Sequence, residues 1–213
     1  MKFRLLKVFT VGIFLSISSL ASASLIIFDD MAVANISEST ITSDGYDITT
    51  GKKALITNES CGIPTCADNG TNYLTINYFP TGENSFTLIR TDSEAFDLLG
   101  FDLAEFNIRY SQFWAKTIVV SATDIHGAMI SESFDLDFIN DGLGGVADFQ
   151  TFSTSLFTDV TTVKFSGIGG VDRNGYSVDN INVVYSSVPE PSTLAIFALG
   201  MIGLASRQLK KPS

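Results

Sequence analysis

Between residues 24 and 185 no stretch holds apolar residues at the 3.6-residue spacing of an amphipathic helix. Instead, β-branched and aromatic residues come in short runs broken by Gly, Asn and Asp. A chain patterned in this way buries its apolar side chains by pairing strands, so the expected fold class is all-β. Eleven candidate strands fall at 25–28, 46–50, 54–57, 73–78, 85–90, 101–109, 116–123, 128–138, 149–153, 162–166 and 176–185. That many short strands in one domain of this length reads as an antiparallel two-sheet sandwich of jelly-roll type.

Local patterns fix some of the faces. Phe134, Leu136 and Phe138 alternate with Asp135 and Asp137, which turns one face inward and the other to water. Asp124-Ile125-His126-Gly127 lies between two strand-like runs and reads as a hairpin connection. The apolar phase changes twice inside a candidate strand: from Phe101 and Leu103 to Phe106 and Ile108, and from Tyr176 and Val178 to Ile181, Val183 and Tyr185. Each change predicts a β-bulge, the second at Asp179-Asn180.

The two ends are apolar and unlike the middle. Residues 1–23 have a basic head (Lys2, Arg4, Lys7), an apolar stretch and the tripeptide Ala21-Ser22-Ala23, the layout of a secretory signal peptide with an N-terminal signal helix. Residues 24–186 are the expected β-sandwich domain. Residues 187–213 begin with Val188-Pro189-Glu190-Pro191, continue as an apolar run from Leu194 to Ala205, and end on the basic residues Arg207, Lys210 and Lys211. Taken by itself this tail reads as a short hydrophobic transmembrane helix with a basic stop that stays cytoplasmic. Its brevity fits a transient anchor better than a permanent inner-membrane span.

The tail closely resembles the PEP-CTERM protein-sorting signal, a pattern also labelled the ice-binding protein C-terminal domain. The resemblance rests on Val188, Pro189, Glu190 and Pro191, the apolar run, and Arg207, Lys210 and Lys211. It implies export across a Gram-negative-type envelope, handling by signal peptidase and the export machinery, and recognition and cleavage by an exosortase. It also implies a final place at the cell surface or outside the cell, in association with exopolysaccharide or biofilm. Two segments of the body resemble strands of carbohydrate-binding-like jelly rolls: the opening Ile26-Ile27-Phe28-Asp29-Asp30 and the closing Tyr176 to Val183. In such modules the first and last strands are neighbours, so Asp29, Asp30 and Asp179 can meet as a candidate structural calcium set, the alternative being solvated turn acids at 29–30 and a local cap at Asp179-Asn180.

Charge narrows the function further. The chain has 13 Lys and Arg against 23 Asp and Glu, for a net charge of -10. Six of the 13 basic residues lie in the terminal segments, so residues 24–188 hold seven basic against 22 acidic residues, a net charge of -15. Such a body excludes nucleic acid as a partner. Cys61 and Cys66, the two cysteines of an exported chain, are expected to form a disulfide around a small loop. The single histidine, His126, falls in the hairpin turn, and no Gly-x-Ser-x-Gly elbow accompanies it, so a triad has no footing. The loop from Asp137 to Gly145 resembles a calcium loop only superficially, because Ile139 occupies a ligand position. Trp114, with Phe113 and the tyrosines, is the candidate glycan contact, set against a place in the core. The expected protein is therefore a non-catalytic module on exopolysaccharide, the alternative being a hydrolase built on a carboxylate pair that the sequence does not single out.

Overall fold

The computed structural model describes residues 20–51, 53–58, 66–76, 84–141, 148–171 and 173–187. The elements in chain order are β1 (Leu20–Ile26), β2 (Ala34–Asn35), β3 (Thr40–Ser43), β4 (Tyr46–Thr50), β5 (Ala54–Thr57), β6 (Tyr73–Ile76), β7 (Ser85–Arg90) and β8 (Phe96–Glu105). After a 3-10 helix (Ile108–Phe113) come β9 (Thr117–Asp124), β10 (Met129–Asp135), β11 (Gln150–Ile168) and β12 (Tyr176–Ser187). The segment Ala23–Tyr185 forms one compact unit. The ladders joining β2 through β12 are antiparallel. The fold is all-β, as the patterning requires.

Hydrogen bonding links the strands into one sheet in the order β2-β5-β6-β12-β8-β11-β7-β4-β3, with β1 on β12 and the β9-β10 hairpin on β11. The linkage runs through β11, whose 19 residues pair with β8 near one end and with β7 and β9 near the other. Ile48 of β4 and Ile56 of β5 lie toward opposite ends of this path yet belong to one buried cluster. A flat sheet cannot bring them together, so the sheet curls over its own inner face.

Several local expectations meet the structure directly. The Asp124–Gly127 turn is a hairpin between β9 and β10, with Gly127 at φ 80° and its N–H donated to Asp124 O at 3.0 Å. The second phase change is a register shift on β12 between Asp179 and Asn182, with Asn180 in the left-handed region at φ 49°. The first is not a bulge. Strand β8 ends at Glu105, and the Asn107 side chain accepts Arg109 N–H at 2.9 Å to start the 3-10 helix. Phe134 and Leu136 are buried as expected, but Phe138 is 47% exposed at φ 64°, because the strand has already ended at Asp135. The runs 149–153 and 162–166 are parts of the single strand β11, bent by two register shifts against β8. β1 starts earlier than expected, at Leu20, and runs through the Ala21-Ser22-Ala23 tripeptide. Residues 1–19 of the expected signal helix and the whole of the expected C-terminal helix lie outside the described residues, while Leu20–Ala23 belong to β1. Among the described residues no helix is long and apolar enough to cross a membrane.

Aromatic rings organise the core. Phe101 of β8 meets Phe134 and Phe165 edge to face, at 5.0 Å in each case, and Phe165 stacks on Phe86 at 4.6 Å. Beside Phe101, Gly100 makes this approach possible, since a Cβ there would lie 2.5 Å from Phe152 O on β11. Phe101→Ala should lower unfolding stability by about 3–5 kcal/mol, through lost burial and a cavity that rigid neighbours cannot fill. Urea unfolding measures it, and a loss below about 1 kcal/mol would mean that the aromatic cluster is not central.

Candidate functional site

Buried polar groups gather where β8, β12 and the loop 66–72 meet. Asp179 sits at the bulge of β12, opposite Asp102 of β8, and is 1% exposed. Its Oδ2 accepts from Asn69 Nδ2 at 2.7 Å and from Thr71 Oγ1 at 3.3 Å, and its Oδ1 accepts from Asn180 N–H at 2.8 Å. Asn180 in turn donates from Nδ2 to Asp102 Oδ2 at 2.8 Å. Burial pushes the Asp179 carboxyl up to about 6 despite these donors, and the Asp29 charge adds to the rise.

Asp29 is therefore close enough to act on Asp179, and its Oδ1 accepts Asn72 N–H at 3.2 Å. This much of the first-strand and last-strand meeting is present. Asp179 takes its donors from Asn69, Thr71 and Asn180, and among the described residues no group of three or more His, Cys, Asp or Glu side chains is arranged to hold an ion.

A second centre lies three residues further along β8. Glu105 is 0% exposed, and its Oε1 accepts Phe138 N–H at 2.7 Å. Asn140 donates from Nδ2 to Glu105 O at 3.4 Å. Asp148, 3% exposed, accepts Asp68 N–H at 2.7 Å and Asp141 N–H at 2.6 Å. Desolvation raises the Glu105 carboxyl to about 7, with Asp137 and Asp148 adding to it and the Phe138 hydrogen bond opposing. The loop 66–72 thus touches both centres, through Asp68 on one side and Asn69 and Thr71 on the other. It is fixed by Tyr73, whose hydroxyl donates to Ala67 O at 2.9 Å.

Glu105, Asn140, Asp148 and Asn69 were not among the residues singled out from sequence. For Glu105 a signal existed: it shares the inward period-2 phase of Phe101 and Leu103. The others come from loops, where no periodicity reports burial.

The remaining candidates divide. Trp114 is 8% exposed and donates from Nε1 to Asn107 O at 2.8 Å, so its indole packs into the interior. Its neighbours Tyr110 and Phe113, on the 3-10 helix, are partly exposed and stack at 5.9 Å, with the Arg173 guanidinium 4.1 Å from the Phe113 centroid. His126 is exposed in its turn. Cys66 is disulfide-bonded, and Cys61, the other cysteine of the sequence, lies outside the described residues. Val188, Pro189, Glu190, Pro191, Arg207, Lys210 and Lys211 also lie outside them.

A carboxyl whose folded value is raised gives the folded state extra protons, so its contribution to stability falls as pH rises from about 4 to about 6 and beyond. For Asp179 this amounts to about 2–3 kcal/mol, one pKa unit being about 1.4 kcal/mol. Asp179→Asn should therefore lose less stability than wild type between about pH 4.5 and pH 7, measured by urea unfolding at each pH. Parallel curves for the two proteins would contradict the placement of Asp179.

No curated protein matches the chain. Among solved structures, it is similar to a family 29 carbohydrate-binding module in complex with mannohexaose, at 11% identity over 79% of this chain and 94% of that one, TM-score 0.44. It is also similar to the cleaved adhesin domain of Lys-gingipain, at 9% identity over 77% and 99%, TM-score 0.46. A third is an F5/8 type C domain from Bacteroides fragilis, at 11% identity over 70% and 97%, TM-score 0.41. Likenesses at this level carry no argument about ligand or activity. The tail is a different matter: residues 187–211 match the PEP-CTERM protein-sorting motif.

Proposed function

We propose that this chain is an exported protein sorted by an exosortase, whose body works outside the cytoplasm as a non-catalytic module on exopolysaccharide. The observation that carries the reading is the sorting motif at residues 187–211, placed directly after a compact β body. An apolar run followed by Arg207, Lys210 and Lys211 keeps its basic end cytoplasmic and leaves the body outside. The anchor is transient, and cleavage near Pro189-Glu190-Pro191 passes the body to the cell surface or medium. The body is a jelly-roll-type sandwich whose two layers stay joined through β11.

Against hydrolysis stand the carboxyls themselves. Among the described residues the two acids with raised pKa, Glu105 and Asp179, are 0% and 1% exposed, where no polymer reaches them. For glycan binding, the stacked pair Tyr110 and Phe113 takes the role first considered for Trp114. A body with net charge -15 over residues 24–188 repels acidic polymers, so a neutral glycan is the fitting class.

Deleting residues 207–213 should abolish processing in an exosortase-bearing host. Mass spectrometry of the C-terminus reads the result, and an uncleaved tail in the undeleted protein would instead identify a permanent anchor. On a glycan array the body should bind neutral polysaccharide, and Tyr110→Ala with Phe113→Ala should weaken binding by about tenfold, the equivalent of about 1.4 kcal/mol. Binding that survives the double substitution would remove the aromatic pair. Turnover of a polysaccharide, lost on substituting a single carboxylate, would replace the module with a hydrolase.

A further inference from the structure

Two buried oxygens at the Glu105 centre have no hydrogen-bond partner among the described residues: Oε2 of Glu105 and Oδ1 of Asn140. Both side chains are essentially removed from water, at 0% and 5% exposure. They are also tied to each other, since Asn140 Nδ2 donates to Glu105 O at 3.4 Å and Phe138 N–H donates to Glu105 Oε1 at 2.7 Å. An unsatisfied buried acceptor is costly, and two such acceptors on residues joined by the Asn140–Glu105 hydrogen bond are both relieved by one shared donor. A cation would supply charge, but among the described residues no acidic triad is present to hold one. A proton needs no additional ligand.

We propose that Glu105 is a neutral carboxylic acid that donates from Oε2 to Asn140 Oδ1, forming a pH-sensitive latch between the end of β8 and the segment 136–141. The proton converts one acceptor into a donor and satisfies the other, so both orphan oxygens are accounted for at once. The charged groups acting on this carboxyl are Asp137, from the same segment, and Asp148, from the start of the segment leading into β11. Both are acidic and favour the neutral form. Burial holds the carboxyl at about 7, so the latch is closed in mildly acidic surroundings and released in mildly alkaline ones. Release frees Phe138 and Asn140 first. It reaches the loop 66–72 next, because Asp141 and Asp68 share the carboxylate of Asp148. An exported body meets the external pH directly, and this end of the fold would respond to it.

The sign follows from proton binding. The latched form holds a proton that the opened form, with an ordinary carboxyl near 4.5, gives up. Opening should therefore rise by about tenfold between about pH 6 and about pH 8. Amide hydrogen exchange on the full chain in detergent, corrected for the intrinsic pH dependence, reads this at Phe138 in wild type and in Glu105→Gln. The side-chain amide that the substitution introduces can donate to Asn140 at any pH, so the variant should stay latched, with exchange unchanged across the interval. Asp179 titrates in both proteins, and the difference between them isolates Glu105. Difference infrared spectra of Asp179→Asn, in which the Asp179 carboxyl is gone, should still lose a protonated-carboxyl band over the same interval, and this readout survives even if Glu105→Gln folds poorly. Equal pH dependence in the two proteins, absence of the infrared band, or calcium-dependent protection that Glu105→Gln abolishes would each overturn the latch.

Discussion

Strand β8 is hydrogen-bonded on both edges, to β12 on one side and β11 on the other, and most of this structure depends on that double pairing. It sets Phe101 among the aromatic rings of the core, puts Asp102 opposite the bulge of β12, and ends by carrying Glu105 into the interior. Phe101, Leu103 and Glu105 follow one another on the same face at intervals of two, so the pleat that buries two apolar side chains buries the carboxyl as well. Moving β8 by one residue would take Phe101 and Leu103 off the core face. The register that builds the core is thus the one that creates the buried acid.

The acids at this end of the body are handled in two different ways. Asp179 is surrounded by donors from Asn69, Thr71 and Asn180, which offset much of its desolvation. Glu105 accepts the Phe138 N–H and keeps one buried oxygen without a partner, as does Asn140. The first arrangement fixes a loop against a bulge. The second leaves a carboxyl balanced between two protonation states, with its neutral form favoured by two neighbouring acids. Both draw on the loop 66–72, so that short connection couples the ends of β6, β8 and β12.

How much of this could be read from sequence depended on whether periodicity carried the information. The alternation in Phe134-Asp135-Leu136 and the phase change at Asp179-Asn180 report the backbone directly, and both hold in the structure. Continuity does not show in the same way: the runs on either side of Leu156 look like two strands, but they belong to β11, because a bend and two register shifts interrupt the pattern without breaking the chain of hydrogen bonds. Trp114 is ambiguous by composition, since an indole suits a core and a sugar platform equally, and only the partner of its N–H decides. The nearness of Asp29 to Asp179 was legible from the pairing of first and last strands. Asn69 and Thr71 were not, because a loop with no regular spacing gives no sign of what it will approach. Residues 187–211 are the opposite case: proline, glutamate, an apolar run and a basic end form a pattern legible without any fold at all.

The tail carries a sorting motif, and the body folds around its own core. Strand β8, paired on both edges, should be the most deeply held strand of the body, and native-state hydrogen exchange across the described strands tests this directly. Amides of β8 should exchange only through global unfolding, with free energies equal to that from urea unfolding, while those of the edge strands β2 and β3 open locally and faster. Exchange in β8 as fast as that in β2 or β3 would contradict it.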